Sequence, residues 1–324
     1  MNKRLVVASV ASIAALGISA CGSSNESSTD TSGGGGNVSG AVAIDGSSTV
    51  FPFAQAAAEG FQSENPDAKV TVGEAGTGGG FEKFCAGEID IADASRPIDE
   101  KEEAPVCKEN GIKYAQVQVA NDGVAIVTNP DLKIGCLKVD QLNQLWKKGS
   151  TVTNYDQLGS GIPSGDVSLY GPGTDSGTFD FFTEEINGEK GDTRKDYQPS
   201  EDDNVLVQGV EGDKTGLAYF GFSYYEDNAD KLNLVAVDDG NGCVKPSVET
   251  IQGGTYKPLS RALYMYVNTA ALADKPQVKA FIDYAVANAE ESATTAKIVP
   301  MTSEQASKAQ AELTKAEDKA APAS

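Results

Sequence analysis

The sequence predicts an α/β fold with room for two domains. Beyond residue 40, short β-branched runs alternate with helix-length amphipathic segments, a pattern that neither a helix bundle nor a β-sandwich produces. Three times a short strand ends in a loop of Gly, Ser and Thr, and a helix begins at once. The roughly 280 residues beyond that point are enough for two domains of ordinary size or one large one.

Taken in order, Lys3 and Arg4 precede an apolar run from Leu5 to Ala20. The run is too short and too rich in small residues for a stable membrane span, so residues 1–20 read as a signal peptide. It ends in Ile18-Ser19-Ala20-Cys21, similar to the lipobox of bacterial lipoproteins, which makes Cys21 the expected lipidation site. Residues 21–40 are then the lipidated Cys and a Ser, Thr and Gly tether that cannot bury enough surface to offset chain entropy. The expected strands are Ala41 to Asp45, Lys69 to Gly73, Ile89 to Ala92, Val117 to Thr128, Val167 to Tyr170, Gly216 to Phe220, Leu232 to Val237 and Leu259 to Asn268. Helical spacing appears in Phe51, Ala54, Ala57, Ala58 and Phe61, in Phe179, Phe182 and Ile186, and in Val278, Phe281, Ile282 and Ala285. The tail reads as helix to about Ala316 and frayed beyond it. The run Tyr219 to Tyr225 reads as core and cleft-wall packing rather than a stacking platform.

Without Lys3 and Arg4 the chain keeps 24 of its 26 basic residues against 47 acidic ones, a net charge of −23. That balance argues against nucleic acid or an anionic lipid surface as a partner. It does not argue against a small anion, because oriented backbone N–H groups and helix N-termini hold anions regardless of net charge. The chain has no histidine and no CxxC spacing, so no metal site and no cofactor are expected. Setting Cys21 aside, Cys85, Cys107, Cys136 and Cys243 form an even set in an exported chain and point to two disulfides, with three pairings open.

The loop chemistry is the informative part. Gly46-Ser47-Ser48-Thr49-Val50-Phe51-Pro52 follows the first strand, with Pro52 suited to the first helical turn and Thr49 a candidate N-cap. Gly73 to Phe81 follows the second strand, and Gly171 to Phe179 follows the strand at Tyr170. Each offers hydroxyls and N–H groups aimed by a helix dipole, which is the chemistry of an oxyanion cradle.

These loops, with Ile91-Ala92-Asp93-Ala94-Ser95-Arg96-Pro97-Ile98 and Asp175-Ser176-Gly177-Thr178, fall in the order seen in phosphate-binding proteins of the bacterial high-affinity phosphate ABC transporter. The chain resembles that family from residue 41 to about residue 300. The resemblance implies a two-lobed, periplasmic-binding-protein-like (type II) fold with crossover hinge strands: lobe 1 from 41–119 plus 262–324, lobe 2 from 120–261. It implies a non-enzymatic monomer, lipid-anchored outside the cell membrane, that closes on inorganic phosphate and delivers it to the transporter permease. A pairing inside each lobe would join Cys85 to Cys107 and Cys136 to Cys243. The implied phosphate ligands are Ser48, Thr49, Val50, Thr77, Ser176, Gly177 and Thr178, with Ser47 a weaker candidate.

Two departures affect the charged half of the site. The best-known members carry an Asp where this chain has Ser95, and an Arg where it has Pro172. Beyond Arg4 the arginines are Arg96, Arg194 and Arg261. Arg96 is the preferred clamp because it adjoins Ser95, Arg194 is a second candidate, and Arg261 is expected in a salt bridge near the hinge. Asp93, Asp45 and Asp122 are candidate acceptors for the phosphate proton. The rival readings are a binder of sulfate or molybdate, or a surface adhesin or sensor on the same scaffold. A Ser-His-Asp enzyme is impossible without histidine.

Overall fold

A computed structural model describes residues 38–174 and 176–320. The expected signal peptide and Cys21 lie outside the described residues. From the start the chain runs β1 (Gly40–Gly46), α1 (Phe51–Glu64), β2 (Ala68–Val72), α2 (Gly76–Cys85), β3 (Ile91–Ala94), α3 (Glu103–Glu109) and β4 (Tyr114–Thr128). It continues through β5 (Cys136–Lys138), α4 (Val139–Trp146), β6 (Ser168–Gly171), α5 (Gly177–Asn187), β7 (Gln198–Pro199), α6 (Asp203–Gly212) and β8 (Gly216–Gly221). Next come α7 (Phe222–Glu226), β9 (Asn233–Asp238), β10 (Cys243–Val244) and α8 (Val248–Gln252). It returns through β11 (Ser260–Asn268), α9 (Thr269–Asp274), α10 (Pro276–Ala287), α11 (Ala289–Thr295) and α12 (Ser303–Ala320).

The strands form one curled sheet of order β2-β1-β3-β11-β4-β8-β6-β7, with β9 paired to β4, β5 and β10. Around β1 and around β6 the neighbours are parallel, as strand–helix–strand units require. The two crossovers, β4 and β11, are antiparallel to each other and carry the chain from one half to the other and back. The fold is therefore a two-lobed mixed α/β fold.

Two large apolar cores explain the two lobes, and a smaller third cluster of Phe81, Phe84, Ile98 and Tyr266 packs around the Cys85–Cys107 link. The first gathers Val42, Phe53, Phe61, Val117, Met265 and Phe281. The second gathers Ile126, Trp146, Phe182, Tyr219, Val235 and Tyr256. The run Tyr219 to Tyr225 belongs to this packing: Tyr219 stacks on Phe182 with ring centroids 3.7 Å apart, and Phe220 and Phe222 are buried. Helix α1 buries Ala54, Ala57, Ala58 and Phe61 of the expected stripe, while Phe53 fills the core in place of Phe51, which is only half-buried at the first turn.

Several boundaries differ from the sequence reading. β3 starts at Ile91 and runs to Ala94, just after Asp90, whose side chain accepts hydrogen bonds from the Ala43 amide and Lys275. Val50 is the N-cap of α1 and makes no side-chain cap. The hydroxyl of Thr49 is occupied elsewhere, as described below. The tail stays helical to Ala320 because Ala309, Leu313 and Ala316 pack against the first core.

Disulfides join Cys85 to Cys107 and Cys136 to Cys243, the pairing expected from the lobes. The sequence separations are 22 and 107 residues. By loop-closure entropy the longer link contributes about 5 kcal/mol and the shorter about 3 kcal/mol. Urea unfolding is expected to show the larger loss for the Cys136→Ala/Cys243→Ala double variant. A larger loss for Cys85→Ala/Cys107→Ala would refute that entropic ranking.

Candidate functional site

A cleft of about 460 Å³ opens between the two cores. Ser47, Ser48 and Thr49 reach it from the turn before α1, Gly76 and Thr77 from the first turn of α2, and Ser95 and Arg96 from the end of β3. The opposite wall is one face of α5, where Gly177, Asp180, Phe181 and Glu184 follow helical spacing, with Glu185 and Lys190 beside them. Arg261 enters from β11.

Local hydrogen bonds set the hydroxyls in place. The Ser47 amide donates to the Asp93 carbonyl at 2.9 Å, and the amides of Val50 and Phe51 donate to the Ser47 carbonyl at 3.1 and 2.9 Å. The chain is thereby curled straight into α1, leaving Ser48 and Thr49 at the cleft. The Thr77 hydroxyl accepts the Ser95 amide at 3.2 Å and lies 3.1 Å from the Ser95 hydroxyl. Close packing of α2 on the first loop needs glycine at 80, since a Cβ there would stand 2.6 Å from Gly46 Cα.

Arg261 is the charged centre of this arrangement. Its Nη2 donates to Thr49 Oγ1 at 2.7 Å, and its Nε donates to Asp122 Oδ2 at 3.2 Å. The two residues of the ion pair are direct partners on β11 and β4, so the pair forms across the crossover ladder. The guanidinium carbon lies 3.7 Å from the centroid of Phe181, a cation–π contact between β11 and α5. Burial lowers the Arg261 pKa while Asp122, Glu184 and Glu185 oppose that, and an arginine starting above about 12 stays charged.

The other sequence-derived candidates divide into three groups. Ser47, Ser48, Thr49, Thr77, Ser95, Arg96 and Gly177 line the cleft. Val50 is buried in the first core, and the Ser176 hydroxyl caps α5 by accepting the Thr178 amide at 3.2 Å. Arg194 is in neither place. Its guanidinium is buried in the second lobe, bonded to Asp196 and to the carbonyls of Leu145 and Val152.

Arg96 reaches the cleft wall with both terminal nitrogens bonded to Glu103 at 2.8 Å. Asp122 is committed to Arg261. Asp45 accepts the amides of Gly46 and Ala75 and bonds Lys83; burial raises its pKa, but these bonds outweigh it and hold the carboxyl below its usual value. Asp93 is fully buried beneath the loop.

Sequence reasoning missed Phe181, Glu184, Glu185 and Lys190, whose ammonium bonds Asp180 at 2.6 Å. The usable signal was the helical spacing that continues from Gly177 along α5.

A family model described as the PBP superfamily domain matches residues 25–289. Phosphate-binding protein PstS of Staphylococcus saprophyticus is 39% identical, covering 83% of this chain and 84% of its own length. This chain belongs to the phosphate-binding branch of the PBP superfamily. Protein SphX of Synechococcus elongatus is 46% identical over 80% of this chain and 77% of its own length. The crystal structure of a possible phosphate binding protein from Planctomyces limnophilus superposes with a TM-score of 0.81 at 43% identity, covering 86% of this chain and 99% of that one.

The first loop packs closely on α5 at Gly177. A Cβ there would stand 2.4 Å from Thr49 Oγ1 and 2.7 Å from Ser48 Oγ. Gly177→Ala is therefore expected to hold the lobes apart. Phosphate affinity by calorimetry should drop at least about tenfold, a loss of 1.4 kcal/mol or more, while ligand-free melting stays unchanged. Full affinity in that variant would mean that closure does not bring α5 onto the first loop.

Proposed function

We propose that this protein captures inorganic phosphate in the interlobe cleft and hands it to the permease of an ABC transporter. The observation that carries the reading is Arg261. One guanidinium, drawn to the cleft by the return crossover, touches the hydroxyl of the first loop and the wall of α5 together. Around it stand the hydroxyls of Ser47, Ser48, Thr49, Thr77 and Ser95 and the N-terminal turns of α1 and α5, where amides lack intrahelical partners. Such a set binds a tetrahedral oxyanion by charge-assisted hydrogen bonds. Ser48, Thr49, Thr77, Ser95, Ser176, Gly177 and Thr178 are assigned to ligand binding, the last three through the α5 N-terminus; Val50 is not, because its amide is bonded to the Ser47 carbonyl and its side chain lies in the first core. Arg261 takes the clamp, and Arg96 is held in reserve by Glu103.

The reading extends to the whole chain. Lobe 1 comprises 41–119 plus 262–324, and lobe 2 comprises 120–261. The protein works as a monomer with no catalytic chemistry of its own, tethered through a lipid on Cys21 to the outer face of the cell membrane. No helix among the described residues is long and apolar enough to cross a membrane.

Ligand that binds only the folded form stabilises it by mass action, about 2.7 kcal/mol at a hundred times Kd. For a chain of this size that is a rise of roughly 5–10 °C in melting temperature. Phosphate is expected to produce that shift and equal sulfate or molybdate is not; the reverse would reassign the ligand. Arg261→Ala combined with Asp122→Asn, which removes the stranded carboxylate, is expected to weaken phosphate at least about a hundredfold, given the cost of breaking a buried charge pair. Arg96→Ala is expected to weaken it less. A larger loss at Arg96 would move the clamp to β3.

A further inference from the structure

Asp93 is fully buried, and neither oxygen of its carboxyl has a hydrogen-bond partner. On β3 it faces Gly46 across one ladder and Met265 across the other. Ile91, two residues earlier, packs in the first core with Val50 and Phe53, and strand alternation puts Asp93 on that same face, under the start of α1. Ser95, two residues later, lines the cleft. The Asp93 carboxyl therefore lies one pleat below the cleft floor, and its own carbonyl holds the Ser47 amide.

An ionised carboxylate at that depth has no donor to meet it. Burial pushes the Asp93 carboxyl well above its usual pKa, and the charge of Asp45 pushes it further. Asp45 is on β1, and its charge is sustained by Lys83 of α2 and the amides of Ala75 and Gly46. The first turn of α1 carries no acidic residue, and β11 places Met265 opposite.

We propose that Asp93 is a positioning residue that keeps its proton while the cleft holds a doubly charged oxyanion, and that ionisation of Asp93 drives the anion out. The inference rests on the phosphate reading for the identity of that anion. A new negative charge one pleat, about 7 Å, beneath a bound dianion would weaken binding at least about tenfold at the effective dielectric of about 20 found in proteins.

The test compares wild type with Asp93→Asn, which keeps the shape and removes the acid, by calorimetric titration with inorganic phosphate from pH 6 to 10. Titration of phosphate itself is common to both proteins and cancels in their ratio. The expected result is equal affinity near neutrality and an alkaline loss of about tenfold or more in wild type only. The same alkaline decline in both, or lost affinity in Asp93→Asn near neutrality, overturns the proposal.

Ligand-free melting supplies a second readout. Above about pH 3.9, where an unfolded Asp ionises, the folded chain retains a proton that the unfolded chain has released. Stability attributable to this group therefore falls as pH rises, up to the folded pKa. The melting temperature of Asp93→Asn should climb relative to wild type between pH 5 and 9, and parallel profiles would overturn the proposal. Asp93→Ala, which leaves a cavity and melts lower throughout, should lack the wild-type slope as well; retention of the slope would place the proton elsewhere. If wild type binds phosphate at no pH, the anion half falls together with the phosphate reading, and the ligand-free slopes separate that failure from a wrong protonation of Asp93.

Discussion

The contact between Arg261 and Asp122 joins the two crossover strands at the place where the lobes meet. Both side chains are largely withdrawn from water, with exposures of 15% and 6%, so each depends on the other. Removing one partner of such a pair leaves an uncompensated charge, at a cost of about 3–5 kcal/mol. Arg261 also bonds Thr49 and stacks on Phe181, which lie on opposite walls of the cleft. The residue that seals the hinge thus also supplies the positive charge at the cleft, and movement of one lobe against the other cannot leave that charge untouched.

This arrangement accounts for an anion site in a chain with a net charge of −21. At physiological salt, charge beyond about 8 Å is largely screened. What an anion in the cleft meets at close range is the Arg261 guanidinium, the Glu103-bound Arg96 on the wall, a set of hydroxyls and two helix N-termini. Asp180, Glu184 and Glu185 stand on the same wall, and Lys190 neutralises the first. Burial raises the pKa of Glu185, with Glu184 adding to the rise and Arg261 opposing it. With Arg96 counted, three basic and three acidic side chains line the cleft, within a strongly acidic exterior.

Much of the fold was legible because it is written in local pattern. The alternation at Val42 to Ile44 and most of the apolar stripe of α1 bury the face that their periodicity marks, and the apolar run Leu217 to Phe220 is buried on both faces, as an interior strand requires. Short elements were not legible. β5, β7 and β10 have two or three residues each, too few to show alternation, and they exist because β9 and β6 offer them an edge. In the site, the hydroxyl loops were legible from composition and order, whereas the arginine was not. Choosing among Arg96, Arg194 and Arg261 depends on which carboxylate each meets in space. Glu103 and Asp196 lie seven and two residues from Arg96 and Arg194, while Asp122 lies 139 residues from Arg261. Only the pairing of β4 with β11 brings that last couple together.

That pairing has a further consequence for how the chain acquires its structure. β11 lies between β3 and β4 in the middle of the sheet, yet more than 130 residues separate it from the end of β4. As the chain is extruded from its N-terminus, the segments that build the first core appear early but lack their central strand. The residues of the second core, Val124 to Leu259, are almost all contiguous and can collapse on their own. The connectivity thus allows the inserted half to consolidate first, with a gap beside β3 until β11 arrives. During that interval the unfilled ladder is an exposed strand edge, open to a chaperone or to another chain.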